Sequence, residues 1–375
     1  MSKPKFYDVR RLLREHPNAY YYITFGERSS GKTYSALDMG LENYAKGGEQ
    51  FAYVRRMGED VKRKEMLTLF SAHIKNGVLK KHFGTQWDDI GYYAGAFYLI
   101  RHEKGPKGNA TVEVKDDTPF CYVFSINQAQ HFKSLSYPSV TTVVFDEFMS
   151  RTGYLPNEFV EFSNLLSTII RHRNNVKIFM LGNTVNRYCP YFTEMGLKHV
   201  KDQKPGTVDL YTYGEKSRLQ VVVEYTESAQ VYGGKDSDVY FAFDNPELRM
   251  ITRGEWEIAV YPRLKKGHKR SDVVQDFFIQ FDGDIVHGEI VVTDADCYLF
   301  FYPKDDNIER DDDIVYTTSA VPRWNYRMAL TKQNDKLSMK IRELMSINKA
   351  FYSSNECGEI VRNYLKWSTQ YSIIK

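Results

Sequence analysis

The chain has 375 residues, 42% hydrophobic and 26% charged, which excludes an intrinsically disordered polymer and suits two domains or one large domain with an appendage. A formal net charge of only +3 excludes a uniformly basic nucleic-acid-coating protein, so any contact with nucleic acid must be local. No apolar run is long enough to span a membrane, the start Met1-Ser2-Lys3-Pro4-Lys5-Phe6 lacks the apolar stretch of a signal peptide, and Cys121, Cys189, Cys297 and Cys357 are too scattered for a metal knuckle or a disulfide framework, so reduced cytosolic thiols are expected.

Residues 7–16 read as a short opening helix. An apolar strand, Tyr20 to Phe25, then runs into Gly26-Glu27-Arg28-Ser29-Ser30-Gly31-Lys32-Thr33, followed by a helix-compatible segment to about Ala45. Strand, G-x-x-x-x-G-K-[ST] and helix in succession form the phosphate-binding P-loop pattern. Gly26 and Gly31 allow tight turning and close approach of the backbone to a ligand. The N–H groups opening the new helix, together with its dipole, favour an anion there. Lys32 is placed to reach the β- and γ-phosphates of ATP and Thr33 to hold Mg²⁺. A Gly/Ser turn with a surface lysine is the plainer reading, and the flanking strand and helix argue against it.

Gly47-Gly48 breaks the chain before a second strand, Phe51 to Arg56, and a helical stretch from about Asp60 to Lys75, the start of a parallel α/β sheet. Residues 85–125 interrupt that rhythm with short aromatic strands around a basic, glycine-rich tip, Lys104 to Gly108. The tip reads as a solvated hairpin turn or as a loop touching a phosphate backbone. The parallel pattern resumes with a strand from Val140, a helix from about Pro156 to Ile170 and a strand from Val176 to Leu181. Hairpin-like strands follow, Thr207 to Tyr213 and Arg218 to Tyr225, and Gly233 to Ser237 resembles a linker. From about 238 a second unit carries Glu255 to Tyr261, paired strands at Phe277–Phe281 and Gly288–Thr293, a third at Cys297–Tyr302, and a mainly helical stretch over 334–366.

The strand Val143-Val144-Phe145 ends in Asp146-Glu147, at the carboxyl edge where open α/β sheets bind ligands. A strand ending in Asp-Glu alone is usually a solvated strand end. After a P-loop, with another strand-like run between, Asp146 becomes a candidate Mg²⁺ ligand and Glu147 the group that activates the attacking water. A glutamate directly after the Walker-type aspartate marks the additional-strand, catalytic-glutamate class of P-loop ATPases. Asn183, ending the next strand, is a candidate sensor of the γ-phosphate, or an ordinary turn asparagine. Arg171 and Arg173 end the preceding helix, where arginines cap carbonyls or, in an oligomer, reach a neighbour's γ-phosphate. Arg28, Arg55 and Arg56 are further phosphate-facing or subunit-facing candidates.

With these residues in place, the chain resembles the genome-packaging ATPases of small tailed phages of the phi29 type, distant relatives of large terminase subunits. The likeness runs in order through Phe51 to Arg56, Tyr137 to Phe148, Tyr154 to Glu158, Ile170 to Arg173 and Asn186 to Phe192, covering roughly residues 15–195 well and the remainder weakly. It implies an α/β fold with a P-loop ATPase domain over 1–205, a linker and hairpin region over 206–237, and an RNase H-like, vestigial nuclease domain over 238–375. It implies that Arg171 acts in trans and that Arg28 matches a P-loop arginine of the family, while Ser29 stands where the family has glycine. The implied activity is ATP-driven translocation of double-stranded DNA into a preformed capsid. The implied partners are copies of the chain in a pentameric ring, the capsid portal, DNA and a structural packaging RNA, with no membrane. The implied setting is the host cytoplasm, transiently on the procapsid.

An active two-metal nuclease needs converging carboxylates, and the candidates are Asp282, Asp284, Asp294 and Asp296, in turns beside the strands. The densest basic run, Lys265 to Arg270, is the preferred nucleic-acid or portal-side patch, ahead of Lys62-Arg63-Lys64, Lys104 and Lys107. The rival readings are a terminase-type motor with an active nuclease, a helicase of the same ATPase class, and a P-loop protein that binds nucleotide as an assembly switch.

Overall fold

The computed structural model describes residues 6–104, 111–132, 135–150, 153–183, 186–214, 219–227, 259–304 and 312–371. Most of the 104–108 tip, the 233–237 segment and most of Glu255–Tyr261 lie outside these residues. The chain divides into two compact units, Met1–Glu257 and Ile258–Lys375.

The first unit is a mixed α/β fold on a large, centrally parallel sheet. Its strands are β1 (Tyr21–Gly26), β2 (Gln50–Arg55), β3 (Asp89–Tyr93), β4 (Ala96–Lys104), β5 (Thr111–Lys115), β6 (Cys121–Ser125), β7 (Val140–Asp146), β8 (Lys177–Asn183), β9 (Thr207–Tyr213) and β10 (Leu219–Tyr225). Their order is β3-β4-β6-β2-β7-β8-β1-β10-β9, with β5 paired to β4. The run β6-β2-β7-β8-β1-β10 is parallel throughout. Strand β8 thus stands between the strand that leads into the glycine loop and the strand that ends in Asp146.

Near-continuous apolar runs are what a sheet covered on both faces requires, and alternate residues feed two separate cores. Ile23, Phe25, Ala52, Val54, Phe145 and Met180 pack on one face, beneath the helix α6 (Glu158–Ile170). Tyr22, Tyr53, Val144, Phe179 and Leu181 pack on the other, with Leu12 of the short helix α1 (Arg10–Glu15) and against α2 (Lys32–Gly47). The Tyr22 and Phe179 rings stack at 4.9 Å across β1 and β8, an aromatic pair worth about 1 kcal/mol beyond its buried area.

Several expectations need correction. The helix foreseen over Asp60–Lys75 is broken into a 3₁₀ turn at Gly58–Val61 and the short helices α3 (Arg63–Met66), α4 (Ser71–Lys75) and α5 (Val78–Phe83). The stretch from Gly91 to Ile100 is a hairpin rather than one strand, because Ala94 and Gly95 both turn through positive φ. Of the 85–125 excursion, β6 is not peripheral but joins the parallel sheet beside β2. Helix α6 begins at Glu158, so Pro156 precedes it.

The second unit carries its own sheet of β11 (Val273–Phe281), β12 (Asp284–Val292), β13 (Cys297–Pro303), β14 (Val315–Thr317), β15 (Tyr326–Met328) and β16 (Ala350–Tyr352), in the order β15-β14-β11-β12-β13-β16. Strands β11, β12 and β13 are antiparallel neighbours, and β14, β15 and β16 add in parallel. The stretch foreseen as mainly helical splits around β16 into two helices, at Lys336–Ser346 and Asn355–Gln370. Each is capped, by the Asp335 carboxylate accepting from Ser338 N–H and by the Ser354 hydroxyl accepting from Cys357 N–H. All four cysteines are free; Cys121, Cys189 and Cys357 are buried and Cys297 is partly exposed.

Candidate nucleotide site

Strand β1 delivers the loop Gly26–Thr33 to the carboxyl edge of the sheet. Gly26 has φ +152°, and a Cβ there would stand 2.0 Å from the Thr226 hydroxyl, so a side chain is excluded on both counts. Gly31, at φ +94°, turns the chain into α2. Ser29 adopts φ +62° without being glycine, a strain of about 1–2 kcal/mol. Arg28 is exposed on the loop, whereas Ser30 is buried.

Lys32 folds back under this loop with only 6% exposure. Its ammonium donates to the Glu27 carbonyl at 2.7 Å and the Ser30 hydroxyl at 3.1 Å. Burial pulls its pKa down from 10.5 to about 8, against the attraction of Asp146, Glu27 and Glu224. A desolvated cation with neutral direct acceptors fits an incoming polyphosphate, which supplies the missing negative charge.

The Thr33 hydroxyl donates to Asp146 Oδ1 at 2.8 Å, and the Tyr53 hydroxyl, from β2, donates to Asp146 Oδ2 at 2.9 Å. Burial pushes the Asp146 carboxyl above its ordinary range, while the Arg55 charge and these two hydroxyls pull it down. A carboxylate penalised by burial and already touching the loop threonine fits a hard divalent cation such as Mg²⁺. Glu147 leaves the strand at φ +55°, which turns its half-exposed carboxylate out of the sheet and onto Arg55, 2.7 Å away. Asn183 ends β8 in register with Gly26, so it stands beside the first glycine of the loop.

The predicted residues Gly26, Arg28, Ser29, Ser30, Gly31, Lys32, Thr33, Asp146, Glu147 and Asn183 therefore meet at one edge. Arg171 does not join them. It caps α6 in the left-handed region, exposed, with its guanidinium donating to the Leu135 carbonyl at 2.7 Å. Its neighbour Arg173 donates to the carbonyls of Tyr137, Pro138, Val140, Ile169 and Ile170, gathering the chain at the start of β7. Val140 and Asp146 are the two ends of β7, about 20 Å apart at strand rise. Arg171 lies at the amino edge of the sheet, out of reach of its own glycine loop.

Arg56 is corrected from a ligand candidate to a scaffold. It grips Glu158 through Nε, donates to the Glu147 and Phe148 carbonyls, and is largely buried. Tyr53 and Thr226 escaped the sequence reading; only the alternation of β2, which puts Tyr53 and Arg55 on one face, hints at the first. In the second unit Asp282 and Asp284 sit at the β11–β12 turn while Asp294 and Asp296 sit beyond the far end of β12, roughly 30 Å away along the strand, so those four acids do not converge.

A glycine elbow between strand and helix, a buried lysine and an acidic strand end one strand over are consistent with an ATPase of the P-loop class. The particular relatives narrow this further. The model of the podovirus DNA encapsidation protein (Gp16) family matches residues 112–204. The DNA packaging protein of Bacillus phage B103 is 29% identical over 237 residues, 60% of this chain and 64% of that protein, and the one from Bacillus phage phi29 is 27% identical over 259 residues, 65% and 68% respectively. The chain thus spans about two thirds of the length of these relatives. In structure it resembles the bacteriophage Phi-29 viral genome packaging motor assembly (TM-score 0.54, 20% identity, 96% of both chains) and the Phi-28 gp11 DNA packaging motor (0.52, 18%, all of both chains). The chain is similar to the DNA packaging proteins of phi29-like phages, and its overall fold resembles that of their motors.

Proposed function

We propose that the chain is an ATP-driven motor that moves double-stranded DNA into a preformed viral capsid. The observation that carries this reading is the 2.8 Å contact between Thr33 and Asp146, which joins the glycine loop to the acidic strand end beside a buried Lys32. When bound, ATP with Mg²⁺ supplies the phosphoanhydride whose cleavage powers the cycle. The loop N–H groups and Lys32 hold the phosphates, and Thr33 and Asp146 hold the metal. Tyr53 fixes the Asp146 carboxylate, and Glu147 orients and deprotonates the attacking water. Asn183, beside Gly26, senses the γ-phosphate end.

Arg171 sits at the opposite sheet edge, a placement that fits a residue completing a neighbour's site in a homomeric ring. A pentamer docked on the portal, with a packaging RNA, in the host cytoplasm and then on the procapsid, completes the reading. The second unit, with three antiparallel strands flanked by parallel ones, fits an RNase H-like sheet, and the dispersal of its turn aspartates supports a vestigial rather than an active nuclease.

The test is ATP turnover against protein concentration, with wild type alone and mixed with Arg171→Ala. Cooperative activation and poisoning by the variant are expected. Turnover linear in concentration and indifferent to mixing overturns the trans role. DNA-stimulated hydrolysis that Glu147→Gln abolishes while ATP still binds separates a motor from a nucleotide-bound assembly switch, and absence of strand displacement on a forked duplex separates it from a helicase.

A further inference from the structure

The basic run Lys265–Arg270 does not lie uniformly on the surface. Two of its members reach the face of β11 and β12, His268 with a nearly buried ring and Arg270 from an exposed side chain. There Asp276 and Glu289 are directly paired across the strands, with His287 two pairs along on the same face, opposite Phe278. Ligand atoms of Asp276, His287 and Glu289 lie within 4.8 Å of one another. His268 reaches Glu289 Oε2 through Nε2 at 2.8 Å with its side chain only 10% exposed, and its Nδ1 is buried without a partner. Arg270 bridges Asp276, at 2.5 Å, and Glu289, at 3.1 Å, from a side chain that is 66% exposed. A cavity of about 440 Å³ opens beside the group, with His268, Glu289, Tyr302 and Arg263 in its wall.

The group is tightly connected. Tyr302 contacts Glu289 Oε1 at 3.1 Å and His287 Nδ1 at 2.7 Å, and His287 Nε2 lies 2.7 Å from Asp276 Oδ1.

We propose that this face of the second unit is a single-ion site for a borderline divalent transition metal of the Zn²⁺ kind, ligated by Asp276, His287 and Glu289, with His268 holding Glu289 from outside. An imidazole with two carboxylates is a donor set suited to such an ion. Around an ion with bonds of about 2.0–2.2 Å, neighbouring ligand atoms stand roughly 3.3–3.5 Å apart, so the three side chains close in on it from their present spacing. Tyr302 fixes the His287 tautomer from behind, as outer partners of metal-binding imidazoles do. Arg270 is the competing cation, and its exposed stem lets it swing into solvent.

The test uses the full chain, stripped with chelator and free of nucleotide, titrated with Zn²⁺ by calorimetry and with Co²⁺ by visible absorption. Wild type is expected to take up one equivalent that His287→Gln and Glu289→Gln lose. Tyr302→Phe weakens it by about 10–100-fold. Arg270→Ala frees the carboxylates of two partly exposed ion pairs and tightens binding by about tenfold, a gain that misfolding cannot mimic. Circular dichroism and melting curves establish that each variant is folded. The proposal is overturned if folded wild type takes up no ion, which leaves the Arg270 ion pairs as the whole of the group's chemistry, if His287→Gln binds as well as wild type, if Arg270→Ala brings no gain, or if uptake is lost instead with Cys297→Ser.

Discussion

Each edge of the large sheet carries a closely spaced pair of arginines, and the two pairs are used in the same divided way. At the carboxyl edge Arg56 is locked onto Glu158 and two carbonyls while Arg55 faces the Glu147 and Asp146 carboxylates. At the amino edge Arg173 is locked onto five carbonyls while Arg171 is exposed. One arginine of each pair builds the loop that presents the other. The difference lies in what the presented arginine meets: within this chain Arg55 meets acids, whereas Arg171 lies a full strand length from any phosphate loop of its own. The trans role proposed for Arg171 would bring the acids of one edge and the arginine of the other together only between copies.

The comparison breaks most visibly at Arg171. With a trans role, Arg171→Ala lowers ATP turnover by about 10³-fold or more and leaves nucleotide binding and the melting temperature unchanged; an equal loss of binding would place it in its own site. Next, Glu147→Gln lowers turnover by about 10²–10⁴-fold with binding retained, measured by turnover and by nucleotide fluorescence. Arg173→Ala sharpens the scaffold half of the contrast. Stranding its carbonyls costs about 2–3 kcal/mol of stability, read by denaturant unfolding, with lost activity recovered at low temperature.

A smaller effect reports on Lys32. Its folded pKa of about 8 lies below its ordinary value, so in the free protein the charged form is penalised below that pH and the penalty fades as pH rises through it. Phosphate charge shifts the balance back toward the ammonium. Near pH 8 nucleotide binding is therefore expected to take up a fraction of a proton, and this uptake vanishes at pH well below that value; calorimetry in buffers of different ionisation enthalpy measures it. Smallest of all, Ser29→Gly relieves the left-handed strain in the loop and stabilises by about 1 kcal/mol or less, visible in the melting temperature.

Much of the nucleotide edge was legible because its signals are local. The Gly26–Thr33 spacing, the apolar strand into Asp146-Glu147 and the strand ending at Asn183 each carry their meaning within a few residues, and the parallel sheet follows from their alternation. What escaped depends on contacts distant in sequence. Tyr53 gains its role from pairing across to Asp146, and Thr226 from lying under Gly26. Arg56 looked like Arg55 until Glu158 claimed it. The 60–75 stretch has helical composition, and Met66 and Phe70 enter the core at the i,i+4 interval of a helix face, so its pattern gives no sign of the break between α3 and α4. In the second unit the turn aspartates attract attention by composition, while the His287–Asp276–Glu289 group is assembled only by strand register.

The distribution of thiols has a practical consequence. Three of the four are sealed in the interior, with burial raising the Cys189 and Cys357 pKa values to about 11 and 12 and pushing the Cys121 thiol well above its ordinary value, while Cys297 alone reaches the surface. A maleimide dye should therefore mark the natural chain at one place, on the first residue of β13, giving an optical handle on the C-terminal unit without removing any cysteine.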